Sequence, residues 1–153
     1  MALEIFDKKI SNIFYNPYVY IGIIMVISLV IRLNYFPNVP LTLDSLDYFF
    51  YASDITINQK LPENYTPANN GWPIFLSWFF SIANFNDVIS YMQLQRIISI
   101  VISVLTIIPI FFLSKKYFGD NLSLLGSTIF AFEPRLIQNS LLGITDAMYI
   151  FLI

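Results

Sequence analysis

The sequence predicts an all-α integral membrane protein, a polytopic helical bundle in which an external loop carries juxtamembrane helices. Hydrophobic residues make up 57% of the 153 residues and charged residues only 12%, about half the charged fraction usual in a soluble domain. The mean hydropathy is +0.67. The apolar runs provide a third observation, because two of them reach the roughly 20 residues that a helix needs to cross a bilayer.

The first transmembrane helix is predicted over residues 17–36, with tyrosines near both ends as interfacial anchors. Its apolar run leads into Arg32 rather than into a small-residue cleavage site, which favours an uncleaved signal anchor over a signal peptide. Lys8 and Lys9 precede the helix. By the positive-inside rule they predict a cytoplasmic N-terminus and an extracytoplasmic segment after the helix.

An external loop is predicted over residues 37–92. It contains one apolar stretch, residues 73–85, which would measure about 20 Å as a helix and is too short to cross. We expect that stretch to lie in the membrane interface. The second transmembrane helix is predicted over residues 93–113, and Lys115 and Lys116 follow it, as expected for a cytoplasmic end.

The third transmembrane helix is predicted over residues 121–142. To cross fully it must continue through Glu133, Pro134 and Arg135, and the proline is expected to kink it. A fourth helix is predicted to start within residues 145–153, where the chain stops. The whole chain is therefore interpreted as the N-terminal part of a larger transmembrane domain.

The residue types limit the possible chemistry. The chain has no cysteine and no histidine, so proton transfer or metal binding near neutral pH must depend on aspartate and glutamate. The net charge of -2 and the lack of a basic stripe argue against nucleic acid as a partner. The carboxylates are therefore the candidates for function.

The predicted topology brings two groups of charged residues to the external face. One group lies in the loop and the other where the third and fourth helices meet: Asp44, Asp47 and Asp54, and Glu133, Arg135 and Asp146. Ionisable groups at membrane depth are costly and usually mark a functional or tightly paired position, which singles out Glu133 and Arg135, and Glu133 is the candidate to line a cavity.

Some of these acids also suit a purely structural role. Asp44 and Asp146 each precede a helix-like run and could cap its first N–H groups. Asp54 is predicted to share a solvent-facing helix side with Asp47. The residues predicted for the opposite, membrane-facing side are Phe49, Phe50 and Ile57.

Four stretches resemble the GT-C membrane glycosyltransferases: DSLDYFFYA, GWPIFLSWFF, QRIISIVISVLTIIPIFFLSKKYFG and FAFEPRLIQNSLLGITDAMYIFL. The resemblance covers residues 17–153 and is strongest to the protein mannosyltransferase-like and aminoarabinose transferase-like branch. It implies an inverting enzyme that moves one sugar from a polyprenyl or dolichyl phosphate to a hydroxyl of a protein or lipid-linked acceptor. It also implies an extracytoplasmic site that later helices complete, so that these 153 residues alone are inactive.

The resemblance assigns the acceptor-handling carboxylate to Asp44, with Asp47 and Asp146 as further catalytic acids. A carboxylate can accept the acceptor's proton while the lipid phosphate leaves. Ser45 follows Asp44 where many protein mannosyltransferases have glutamate, which leaves the acceptor class open. Tyr48 is expected to line the cavity.

Arg96 and Arg135 are the candidate ligands of the donor phosphate, because a guanidinium fork suits a phosphate group. Arg96 equally suits a snorkelling position at the interface. In the oligosaccharyltransferase branch of the same superfamily, the corresponding acids hold a divalent cation, Mg or Mn, which would fall to Asp44 and Asp146. That branch usually has paired acids where GITDAMY has one, so single-sugar transfer is favoured.

Two classes other than an enzyme remain. In a transporter or channel fragment, Glu133 and Arg135 would line a conduction path. In a non-catalytic membrane subunit, the acids would only cap helices. The long external loop favours an enzyme, because it can form an acceptor groove.

Overall fold

The computed structural model describes residues 16–62 and 70–153, which form eight α-helices and no strand. The helices are α1 (Pro17–Asn34), α2 (Asp44–Asn58), α3 (Gly71–Ile82), α4 (Val88–Leu105), α5 (Ile107–Lys115), α6 (Asp120–Phe132), α7 (Pro134–Leu142) and α8 (Asp146–Leu152). The all-α prediction is confirmed for these residues. Lys8 and Lys9, which predict the cytoplasmic N-terminus, lie outside them.

Two helical segments are long and apolar enough to cross a membrane: Pro17–Asn34, which is α1, and Val88–Lys115, a 28-residue segment formed by α4 and α5. Helix α3 is apolar but has only 12 residues. Only 17% of the α1 window is buried within the protein. Its exposed face is strongly apolar and carries Ile23, Val26, Ile27, Val30 and Leu33. An apolar face of this extent on a soluble monomer would be unusual.

Helix α1 runs antiparallel to α4 and α5. Tyr18, at the start of α1, makes an edge-to-face contact with Phe111 of α5, with ring centroids 6.2 Å apart. Arg32, near the end of α1, donates to Ser103 of α4. The ammonium of Lys115 lies 5.4 Å from the centre of the Tyr18 ring. We call this end of the bundle the basic end.

The prediction of one kinked helix over residues 121–142 is wrong. Helix α6 ends at Phe132, Glu133 has an extended backbone (φ -64°, ψ 121°), and α7 starts anew at Pro134. The proline has no N–H to continue the ladder, and its ring disfavours a helical conformation at the residue before it. The chain therefore breaks here instead of bending.

Side chains satisfy both helix ends at this break. The carbonyl of Ala131, in the last turn of α6, accepts from Ser28 Oγ at 3.3 Å and from the Arg32 guanidinium at 3.2 Å. At the start of α7, the Glu133 carboxylate accepts from the Leu136 N–H at 2.8 Å, which is an N-cap. These contacts to α1 replace the hydrogen bonds that a continuous helix would have made.

The predicted position of Asp54 is also wrong. Asp54 lines a groove of about 430 Å³ together with the residues predicted for the opposite side of the helix, Phe49, Phe50 and Ile57. Phe50, Asp54 and Ile57 are spaced four and three residues apart, which places them on one helix face. The floor of this groove is the contact between α2 and α3, where the rings of Phe49 and Phe80 lie 5.6 Å apart.

Candidate functional site

One buried amide joins two segments that are far apart in sequence. Gln95 of α4 is fully buried, and its Nε2 donates to the Ser45 carbonyl at 2.9 Å and to the Gly143 carbonyl at 2.9 Å. Trp72 Nε1 also donates to the Gly143 carbonyl, at 3.2 Å. The start of α2 and the loop between α7 and α8 are therefore held together, and we call this part of the molecule the acidic end.

Gly143 allows the chain to approach α4 this closely. Its φ of +74° lies in the left-handed region, where glycine is favoured over other residues. A Cβ at this position would lie 3.3 Å from Gln95 Cγ and 3.4 Å from Arg96 Cγ. The glycine in GITDAMY thus ends α7 and positions Asp146 three residues later.

Asp44 and Asp47 lie in the first turn of α2, and both are exposed. The N-cap position belongs to Leu43, and α2 has no side-chain capping hydrogen bond. The Ser45 hydroxyl donates instead to the Thr42 carbonyl, at 2.6 Å. Capping therefore does not account for Asp44, although a carboxylate there interacts favourably with the positive end of the helix dipole.

Tyr48 lies where the two acidic segments meet. Its pKa is raised above the usual value first by burial and then by the negative charges of Asp44, Asp146 and Asp47. All three sequence-predicted catalytic acids therefore act on one phenol. A phenol with this pKa is protonated near neutral pH, as an ordinary tyrosine is, and it can donate a hydrogen bond.

Asp146 is the first residue of α8 and is partly buried. Its Oδ2 accepts from Asn139 Nδ2 at 2.7 Å, and no side-chain capping hydrogen bond forms at the start of α8. Asn139 is a contact that the sequence analysis missed. Asn139 and Asp146 are seven residues apart, but the sequence alone does not show that Gly143 turns the chain so that they meet.

Arg96 is committed to the backbone before α2. Its guanidinium donates to the carbonyls of Pro37 at 3.3 Å, Val39 at 2.5 Å and Pro40 at 3.1 Å. The side chain is buried, so it does not snorkel to the interface. Arg96 therefore stabilises residues 37–40, the connection between α1 and α2.

Glu133 and Arg135 lie at the break between α6 and α7. Glu133 is the N-cap of α7, and Arg135 is exposed in the first turn of that helix. Within the described part of the chain, no hydrogen bond or ion pair joins either side chain to Asp44 or Tyr48. The predicted cavity-lining role of Glu133 therefore has no counterpart in these contacts, whereas Arg135 has a guanidinium open to a ligand.

Arg32 has no role that the sequence predicts, and the structure buries it completely. The guanidinium donates at 3.2 Å to four acceptors: Ser140 Oγ, Ser103 Oγ and the carbonyls of Ala131 and Ser28. It also contacts Ser28 Oγ. An arginine inside an apolar run was the available signal, but it was interpreted only as the flank of a signal anchor.

Metal binding by this site is not supported by its side chains. In residues 16–62 and 70–153, no three acidic side chains come close enough together to hold a metal ion. Asp44 and Asp146 alone would supply few of the about six oxygen ligands that magnesium prefers. We therefore derive no step through a metal.

Comparisons of the chain with models of protein families, with curated proteins and with solved structures found no match. The acidic end is consequently interpreted from its own geometry. Gln95 joins the start of α2, with Asp44 and Asp47, to the loop before Asp146, on a helical frame whose two longest apolar segments could cross a bilayer.

Proposed function

We propose that this chain is part of an inverting membrane glycosyltransferase of the GT-C type. The enzyme would transfer one sugar from a polyprenyl or dolichyl phosphate to an acceptor hydroxyl. The observation that carries the proposal is the Gln95 amide, which joins the backbone at Ser45 to that at Gly143. Through it, Asp44 and Asp146 lie at the same end of the bundle, as the family resemblance implies.

The chemistry requires a base at this end. The acceptor O–H proton passes to the Asp44 carboxylate while the acceptor oxygen forms a bond to the anomeric carbon. The bond from that carbon to the phosphate oxygen breaks, and its electron pair leaves with the lipid phosphate, which inverts the configuration. Asp44 is exposed and makes no capping bond, so it can reach an acceptor. Tyr48 would orient the acceptor by donating a hydrogen bond.

The donor phosphate is assigned to Arg135 rather than to Arg96. The Arg96 guanidinium already donates to three carbonyls. Arg135 is exposed in the first turn of α7, so its guanidinium can reach a phosphate. The expected partners are thus a polyprenyl- or dolichyl-phosphate sugar, a protein or lipid-linked acceptor, and membrane lipids.

The proposed location is the cell membrane, with a cytoplasmic N-terminus and an extracytoplasmic acidic end. Two segments that could cross a bilayer support this location, and so does the apolar face of α1. The antiparallel arrangement is compatible with the charge rule, since Lys115 lies beside Tyr18 at the start of α1.

The test is a transfer assay with membranes from cells that express the complete gene. Polyprenyl-phosphate sugars, each radiolabelled in the sugar, are supplied singly, and NMR of the product gives the configuration at the anomeric carbon. We expect one donor to be used, with inversion. Retention of configuration would exclude the direct displacement proposed here.

The role of Arg135 is tested with Arg135→Gln, which keeps the approximate size and the polarity of the side chain but removes its charge. We expect this variant to raise the KM for the lipid donor. Absence of transfer from every polyprenyl-phosphate sugar, in membranes that contain the folded protein, would overturn the glycosyltransferase proposal.

A further inference from the structure

Arg32 is a buried cation whose direct partners are all neutral. The side chain is 0% exposed, and its acceptors are serine hydroxyls and backbone carbonyls. A buried charge is tolerated when its hydrogen bonds are satisfied and an opposite charge lies nearby. The hydrogen bonds of Arg32 are satisfied, so the opposite charge has to come from a nearby carboxylate.

Two of the serines connect Arg32 to a small cavity. Ser140 Oγ accepts from Arg32 Nε, and Ser103 Oγ accepts from a terminal guanidinium nitrogen, each at 3.2 Å. Both serines line a cavity of about 10 Å³ whose wall also includes Asn139 and Asp146. A space of this size is about that of one water molecule. Asp146 contributes the sole carboxylate among the residues described around it.

We propose that Asp146 is the counter-ion of Arg32, coupled to it through Ser103, Ser140 and one water in this cavity. Arg32 then acts as a positioning residue: its charge and the Asn139 amide together orient the carboxylate at the start of α8. The pairing is a property of the fold and goes beyond the proposed sugar transfer, so it can be tested without any enzymatic activity.

Glu133 is the competing carboxylate, because it follows the α6 end whose Ala131 carbonyl Arg32 binds. Its carboxylate is already used, since it accepts from the Leu136 N–H at 2.8 Å and caps α7. It also does not line the cavity that contains Asp146. Substitution of Asp146 therefore tests the proposal, and substitution of Glu133 is the control.

The experiment is a double-mutant cycle in the 153-residue chain purified in detergent, with Tm as the readout. Asp146→Asn should lower the Tm of the wild-type protein, because it leaves the Arg32 charge unbalanced. It should lower the Tm by about half as much or less in an Arg32→Gln background, which lacks that charge. In an Arg32→Lys background, which keeps the charge, the full decrease should return. A purely structural role for the guanidinium shape would not give this rescue.

Glu133→Gln provides the control, since glutamine retains a capping oxygen. It should change the Tm equally in the wild-type and Arg32→Gln backgrounds. If Arg32→Gln does not fold, Ser103→Ala replaces it, and the Asp146→Asn decrease should shrink there too. Equal decreases for Asp146→Asn in all backgrounds, or coupling of Arg32 to Glu133 instead, would overturn the proposal.

Discussion

Among the described residues, charged side chains are paired at one end of the bundle and unpaired at the other. At the basic end, Lys115 Nζ lies 2.9 Å from the Asp120 carboxylate and above the Tyr18 ring. At the acidic end, Asp44 and Asp47 are exposed and form no ion pair with any described residue. A paired charge at a helix junction needs no function to explain it. Like charges with no cation beside them repel each other and oppose folding, and the proposed sugar transfer would give these carboxylates a role.

Two buried arginines hold different parts of the molecule together through neutral acceptors. Arg96 holds the connection before α2 through three carbonyls. Arg32 joins α1 to α4, α6 and α7. The acidic end therefore rests on a frame of buried polar contacts, which fixes where the exposed carboxylates lie.

The largest expected effect concerns which side of the membrane each end occupies. The chain has no native cysteine, so single cysteines report position cleanly. Asn58→Cys, at the exposed end of α2, should react with an impermeant maleimide on intact cells. Asn121→Cys, exposed near the basic end, should react only after permeabilisation. The reverse pattern would place the acidic end in the cytoplasm and contradict an extracytoplasmic site.

The next effect concerns catalysis at the acidic end. If Asp44 is the base, Asp44→Asn should reduce sugar transfer by about 10²- to 10⁴-fold. Its effect on stability should be small, because α2 has no side-chain capping bond to lose. Asp54→Asn is the matched control on the same helix and should reduce transfer less than about tenfold. Transfer by Asp44→Asn at the wild-type rate would remove Asp44 from the mechanism.

A smaller effect is expected from Gln95→Met, which keeps the approximate shape of the side chain but removes its amide. The variant loses the donor to Ser45 and Gly143, and we expect the free energy of unfolding to fall by about 1–2 kcal/mol. The loss is limited because Gln95 Oε1 is buried without a partner, so its removal relieves a cost. Transfer should fall more than stability explains, since Asp44 and Asp146 are no longer held together.

Gln93→Met, two residues earlier on the same helix and partly exposed, is the control. Denaturant unfolding in detergent measures the stability of both variants. Equal behaviour of the two would mean that the Gln95 bridge does not organise the acidic end.

The sequence was sufficient for the helix class and for the extent of the first apolar segment, predicted over 17–36 and found at Pro17–Asn34. It also predicted that the short stretch at 73–85 would be a separate helix. The length and composition of each apolar segment determine these features without help from distant residues. The break at Pro134 could not be distinguished from a kink, because Ser28 and Arg32, which satisfy the end of α6, are about a hundred residues away.

The sequence offers candidate residue types for the site, but it does not show their contacts. Asp44, Asp47 and Asp146 could be named because the chain offers few other ionisable groups. Which arginine would be engaged by carbonyls could not be inferred, since Arg96 depends on the conformation of residues 37–40. The role of Gln95 was invisible, because an amide shows its partners only after two distant segments have packed around it.

The smallest effect is expected at the basic end. Lys115→Gln removes the ion pair with Asp120, whose side chains are 36% and 46% exposed. Solvent and salt screen such a pair, so the Tm should change little and transfer should not change at all. Asp120→Asn should behave in the same way, because each variant leaves an exposed partner that water can solvate. A loss of transfer comparable to that of Asp44→Asn in either variant would show that the basic end takes part in the chemistry. The contrast between a structural end and a functional end would then fail.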